Sequence, residues 1–163
     1  MSESNHHVTL DVNGVQQTGI ATARTTLVDF LRDTLRLTGT HVGCEHGICG
    51  ACSVLLDGEP VRSCLIFAVQ VDGHEVTTVE GLGTPEKMSP LQAAFVEKDA
   101  LQCGFCTPGF VVAGTALLER NPRPTLDEIK AGLAGNLCRC GTYGRIFEAV
   151  QAAAQAKTPS RRR

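Results

Sequence analysis

Apolar and polar residues alternate from Val8 to Val12, which puts Val8, Leu10 and Val12 on one face, the period of a half-buried strand. Asn13-Gly14 follows, a dipeptide that favours a tight hairpin turn. Val15 to Ala23 is read as the returning strand. The period then changes. Leu27, Phe30, Leu31 and Leu35 recur at helical spacing, with Thr25 or Thr26 available as a cap and Gly39 as the stop. Ser53–Leu56 and Val61–Cys64 flank Asp57-Gly58 as a second hairpin, and Val69–Val71 and Glu75–Val79 are expected as the last strands.

The pattern becomes purely helical after Gly81-Leu82-Gly83-Thr84-Pro85, which reads as a linker. Ser89-Pro90 is a cap with proline at the first helical position, opening a helix over Leu91–Lys98. Thr107-Pro108 opens a second over Gly109–Glu119, which Asn121-Pro122 stops. Thr125 and Glu128 form a capping box for a third, running to about Leu133. A fourth, Ala-rich and amphipathic, spans about Tyr143 to Ala154. A cysteine pair precedes the second helix and another precedes the fourth. The expected fold class is therefore α+β, with a small mixed domain over residues 1–81 and a helical domain over 82–163, packed as a four-helix bundle. The two cysteine pairs would meet at one end of that bundle. Helix N-termini there offer free N–H groups and partial positive charge to a group held by anionic thiolates.

Composition narrows the function classes. The net charge is −2 with no long block of one sign, which disfavours nucleic acid as a partner. No apolar run approaches the ~20 residues of a membrane helix, and Met1 to Gln17 holds no apolar signal-peptide core. The run Arg161-Arg162-Arg163 reads as a loose tail. A chain of 163 residues can bury roughly 68–70% of its unfolded surface and needs no disulfide staples. Its eight cysteines therefore point to metal binding or reactivity in the reducing cytoplasm.

The cysteine spacing is specific. Cys44, Cys49 and Cys52 stand in a C-x4-C-x2-C loop, and Cys64 follows one hairpin later. That is the plant-type [2Fe-2S] arrangement, in which four thiolates serve two irons and loop N–H groups aimed at sulfur tune the potential. Gly43, Gly47 and Gly50 suit so tight a loop. A four-cysteine zinc site would usually show two C-x2-C knuckles, and only one is present in this half. Cys44-Glu45-His46 is half of a Rieske-like pattern, but no later cysteine has a histidine near it, so His46 is read as a loop residue. Cys103, Cys106, Cys138 and Cys140 form C-x2-C plus C-x-C. By themselves they fit zinc, a redox-active pair or a second cluster. The second pair argues against a thioredoxin-like site, and the neighbouring site favours a cluster. Gln102, Arg139, Tyr143 and Arg145 read from the residues alone as a capped, solvated helix end; His41 and His74 carry no signal. There is no nucleophile–base pair and no phosphate- or dinucleotide-binding glycine loop. Clusters without substrate chemistry make an electron wire, with donor and acceptor elsewhere.

Three stretches carry a closer resemblance. Gly43-Cys44-Glu45-His46-Gly47-Ile48-Cys49-Gly50-Ala51-Cys52, Gln102-Cys103-Gly104-Phe105-Cys106-Thr107-Pro108-Gly109 and Asn136-Leu137-Cys138-Arg139-Cys140-Gly141-Thr142-Tyr143 resemble the signatures of the small iron–sulfur subunit of the molybdenum hydroxylases. This is the xanthine oxidase family, which includes aldehyde oxidoreductases and aerobic carbon monoxide dehydrogenase. The resemblance runs from about His7 to Ala154. It implies a β-grasp, plant-type ferredoxin-like domain holding one [2Fe-2S] cluster, nearer flavin, on Cys44, Cys49, Cys52 and Cys64. It implies a four-helix-bundle domain holding a second cluster, nearer molybdenum, on Cys103, Cys106, Cys138 and Cys140. Gln102 and Cys140 would also touch the pterin of the molybdenum cofactor, which overrides the bland reading of Gln102. A large partner subunit would carry molybdenum on molybdopterin, expected in its cytosine dinucleotide form, and hydroxylate the substrate. A medium partner would carry FAD, and the whole is expected as a dimer of heterotrimers. The chain ends soon after the fourth helix, which is read as a separate oxidoreductase subunit with no substrate site of its own. The loop form does not choose among carbon monoxide, aldehydes and N-heterocycles. A free-standing two-cluster ferredoxin is the alternative.

Overall fold

The computed structural model describes residues 4–156; the Arg161–Arg163 run lies outside them. The alternation at the N-terminus folds as expected. Strand β1 (Asn5–Val12) turns at Asn13-Gly14 into β2 (Val15–Thr22), and Val8, Leu10 and Val12 are all buried. Strands β3 (Ser53–Leu56), β4 (Glu59–Arg62) and β5 (Glu75–Thr77) complete a mixed sheet in the order β2-β1-β5-β3-β4. β1 and β5 run parallel, and every other pairing is antiparallel. Val8, Leu10, Val54 and Val76 form its core with Leu27, Phe30 and Leu31 from the segment that crosses it.

That segment is the first departure from the sequence reading. Only Leu27–Asp29 (α1) is α-helical, capped by Thr26 as expected; Phe30–Thr34 continues as a π-turn closed by Leu35 N–H on Phe30 C=O at 3.0 Å. The wider turn brings the adjacent Phe30 and Leu31 into the core together. The stop comes at Arg36, with φ 63°, rather than at Gly39. Arg32 then donates to Thr38 and Thr40 carbonyls at 2.7 and 2.8 Å, tying down the approach to the first cysteine loop.

Three expected strand positions also differ. Ala68–Val71 is a 3-10 turn that buries Ala68 and Val71 three residues apart, not a strand. The last strand stops at Thr77 and gives way to a 3-10 turn over Val79–Leu82. Cys64 lies on a 3-10 turn, Ser63–Leu65, just past β4. Ser63 ends the strand because its hydroxyl donates to Cys52 C=O at 2.7 Å, and its N–H does so at 3.3 Å.

The helical half contains α2 (Pro90–Glu97), α3 (Thr107–Arg120), α4 (Leu126–Gly132) and α5 (Tyr143–Ala156). Ser89 caps α2 with Pro90 behind it, and the Thr125 capping box opens α4, both as expected; at Ser89 the Gln92 side chain completes a capping box as well. Leu91, Phe95, Phe110, Ile129, Leu133, Ile146 and Val150 make one apolar core. No helix among the described residues is long and apolar enough to cross a membrane.

The stretch read as a linker is built into the fold. Val79 and Leu82 pack against both the helical core and a small cluster of Leu55, Val112 and Ala116 that joins the sheet to α3. Thr78, fully buried, donates its N–H to Asn13 Oδ1 at 2.9 Å and receives Asn13 Nδ2 at 3.0 Å. The buried N–H and hydroxyl of Thr78 are thereby satisfied, and the packing of Val79 and Leu82 makes a seam along which the two halves meet.

Candidate metal centres

The first cysteine set is carried by the loop between the π-turn and β3, and by the turn after β4. Positive φ at Glu45 (58°), Gly47 (82°) and Gly50 (72°) coils this loop tightly. Cys44 and Cys49 interact directly, and so do Cys52 and Cys64; Cys44 and Cys64 are close enough to repel as thiolates. All four thiols are thus gathered in two facing pairs. Cys49 N–H donates to Cys44 Sγ at 3.3 Å. That N–H, followed by the one at His46, lowers the Cys44 pKa to about 6. Burial, followed by the neighbouring Cys52, pushes Cys64 up to about 11. Cys52 and Cys64 are buried against Val28 and Val42.

The second set comes from two loops that lead into α3 and α5. Cys103 interacts directly with Cys140, and Cys106 with Cys138; Cys138 and Cys103 feel one another's charge. The expected meeting of the two pairs at the N-termini of these helices is therefore what the fold contains. Burial, then the Cys138 thiol, pushes Cys106 up to about 12. Burial also pulls Cys138 upward, but the Thr142 hydroxyl and N–H, with Cys106 and the Cys140 N–H, outweigh it and bring Cys138 down to about 7. Cys103 and Cys140 are exposed, as is Gln102.

All eight cysteines are free. Among the described residues, no three His, Cys, Asp or Glu side chains converge as they would on a single metal ion. Thiols in facing pairs, with amide N–H groups turned toward sulfur, fit a binuclear cluster in which each iron takes two thiolates. A cleft of ≈ 420 Å³ lies between the two sets, lined by Cys49 and Ala51 on one side and by Cys103, Cys106, Cys138 and Tyr143 on the other.

The cysteine loops also touch. Leu137 N–H donates to Cys49 C=O at 2.9 Å, Asn136 Nδ2 to Gly50 C=O at 3.0 Å, and Arg62 Nη2 to Gly135 C=O at 2.6 Å. Neither Arg62 nor Asn136 was singled out by the sequence. Nothing in local spacing marks Arg62, and Asn136 is visible only as a neighbour of Cys138. Tyr143 is not a solvated helix end. It is half-buried, packs edge-on against Phe110 at 6.2 Å and accepts Cys138 N–H at 2.8 Å. His41 caps the other loop, with Nδ1 2.8 Å from Phe105 C=O. His46 contacts Cys44 C=O through Nδ1 and stays a loop residue.

Comparison with known proteins agrees with this chemistry. Residues 10–80 match the family described as a 2Fe-2S iron-sulfur cluster binding domain, and residues 78–151 match the [2Fe-2S] binding domain family, so the fold is that of an iron–sulfur protein with two such units. The chain is 53% identical to the nicotine 6-hydroxylase small subunit of Paenarthrobacter nicotinovorans, over 88% of this chain and 86% of that one. It is 50% identical to caffeine dehydrogenase subunit gamma of a Pseudomonas species, over 91% and 90% of the two chains. A chain of quinoline 2-oxidoreductase from Pseudomonas putida 86 superposes with a TM-score of 0.90 at 44% identity, covering 93% of this chain and 95% of that one. The chain belongs to the family of small iron–sulfur subunits of the molybdenum hydroxylases.

Proposed function

We propose that this chain is the electron-transfer subunit of a heterotrimeric molybdenum hydroxylase. Residues 1–81 act as a β-grasp, plant-type ferredoxin-like unit and residues 82–163 as a four-helix-bundle unit, each holding one [2Fe-2S] cluster. Cys44, Cys49, Cys52 and Cys64 hold the first; Cys103, Cys106, Cys138 and Cys140 hold the second. Each cluster supplies a site that accepts and releases a single electron. This chain's part is to present the thiolates, hold the two sites against one cleft and keep water away from the inner ligands. Electrons enter from a molybdopterin site on a large partner subunit, expected as the cytosine dinucleotide form with molybdenum. They leave to FAD on a medium partner. Eight cysteines used as cluster ligands, with none in a disulfide, fit the reducing cytoplasm assigned to the chain.

The observation that carries this reading is the shared cleft, which brings Cys49 of one set and Cys103, Cys106 and Cys138 of the other to one space. The exposure of Gln102, Cys103 and Cys140 leaves the outer edge of the second site open to a pterin on a partner, the contact assigned here to Gln102 and Cys140. A free-standing carrier has no use for such an edge. EPR of the dithionite-reduced complex, integrated for spins per chain, tests the reading. Two [2Fe-2S] signals of equal weight are expected, in a sample that co-purifies with flavin and molybdenum protein. One signal would remove the second site, and a zinc-containing, EPR-silent sample would remove the electron-transfer role.

A further inference from the structure

The seam between the cysteine loops has its own buried polar junction. Asn136 is 3% exposed and stands two residues before Cys138. Its amide donates to Gly50 C=O at 3.0 Å and lies 3.4 Å from Ser53 Oγ. Gly50 C=O also receives Ser53 Oγ at 2.7 Å and Ser53 N–H at 3.2 Å. Arg62 Nη1 donates to Ser53 Oγ at 2.7 Å while its Nη2 reaches Gly135 C=O at 2.6 Å. Backbone approaches backbone around this junction. A Cβ on Gly109 would stand 2.2 Å from Gly50 O, and one on Gly50 would stand 2.6 Å from Gly135 O and 2.7 Å from Asn136 Nδ2.

We propose that Asn136 is a positioning residue that locks the Cys49–Gly50 loop to the Asn136–Cys138 loop, and so sets the separation of the two clusters. This rests on the two-cluster reading above. The Asn136 amide hydrogen-bonds a carbonyl and a hydroxyl rather than a thiol. It acts through Gly50, which follows one ligand directly, and through the Leu137 N–H bond to Cys49 C=O, which leads directly into another. Without the amide, that loop pair keeps Arg62 and the Leu137 bond but loses the hydrogen bond of a buried side chain of the helical half to Gly50 C=O. Gly50 C=O keeps its Ser53 partners, so both ligand sets should still assemble. What changes is how often the loops part.

The test uses the intact complex with Asn136→Ala and with Asn136→Leu, which removes the donor but keeps volume. Two readings are taken beside iron and spin content. One is hydrogen exchange of the 133–142 segment, Leu137 N–H above all. The other is the magnetic coupling between the two reduced clusters, which falls steeply with their separation. Both variants are expected to keep two cluster signals. Leu137 exchange should rise about tenfold, the factor that one lost buried hydrogen bond corresponds to, and the magnetic coupling should weaken. Unchanged exchange and coupling in a variant that keeps both signals would overturn the assignment. Loss of a signal in both variants would also overturn it, because Asn136 would then build a site rather than space two. If one variant alone loses a signal, the other decides by the same two readings. A wild-type complex with fewer than two signals would sink the electron-relay reading instead, since exchange across the seam is read without any cluster signal.

Discussion

The two cysteine centres are made in opposite ways. Three thiols of the first come from one coiled loop, and its fourth, Cys64, is delivered by a turn that Ser63 fastens to Cys52 C=O at 2.7 Å. The second is assembled from two loops more than thirty residues apart in sequence, brought together only because α3 and α5 share the core of Phe110, Ile146 and Val150. The first hides two of its thiols, Cys52 and Cys64, against Val28; the second leaves Cys103 and Cys140 exposed. A loop-built site is a local property and can be closed off by its own domain. A site built between helices depends on packing, and it opens wherever the partner loops do not cover it. On the proposed reading, that opening is where the second centre meets the molybdenum partner.

The largest effect that would separate the centres is loss of a ligand. Cys103→Ser is expected to remove one of two EPR signals and stop substrate-driven flavin reduction, while the other signal keeps its full weight. Cys49→Ser should remove the other signal. If flavin reduction survived Cys103→Ser unchanged, the second centre would not lie between molybdenum and flavin.

A smaller effect distinguishes how tightly each loop is held. Gly50 and Gly104 both have positive φ, 72° and 80°. A Cβ at Gly104 meets nothing within 4 Å, whereas one at Gly50 runs into Gly135 O and Asn136 Nδ2. Gly104→Ala should cost only the left-handed backbone penalty, about 1–2 kcal/mol. Gly50→Ala adds overpacking of about 1–3 kcal/mol. Urea unfolding of the two variants should rank them in that order, and equal midpoints would mean the seam yields easily.

Tyr143→Phe probes the second centre alone. It removes the acceptor of Cys138 N–H and should cost about 1 kcal/mol. The second cluster's potential should shift in a redox titration, with the first cluster's midpoint unmoved.

The smallest effect lies far from both centres. His74 Nδ1 contacts Asp57 Oδ2 at 2.6 Å, and this contact, followed by Glu75 N–H, holds the Asp57 carboxyl below its usual range. A lowered carboxyl pKa stabilises the fold above its unfolded value and loses that contribution as pH falls through the folded value. Asp57→Asn should therefore melt slightly lower than wild type at neutral pH. The two melting curves should merge in acid, while EPR of both centres stays unchanged.

Much of this was legible in the chain itself. Alternation at Val8, Leu10 and Val12, the Asn13-Gly14 turn and the Ser89 and Thr125 caps depend on residues near one another, so they survive folding unaltered. The C-x4-C-x2-C spacing is equally local, because one loop must present its thiols whatever surrounds it. What only the tertiary structure decided depends on distant partners. Phe30 and Leu31 both enter the core, and that turns a helix into a π-turn. Val79 and Leu82 find apolar surface on α3, and that turns a linker into a seam. Asn136, Arg62 and Tyr143 look like ordinary polar residues in sequence. Their roles at Gly50, Gly135 and Cys138 exist only once two loops, far apart along the chain, are pressed together with room for a glycine and nothing larger.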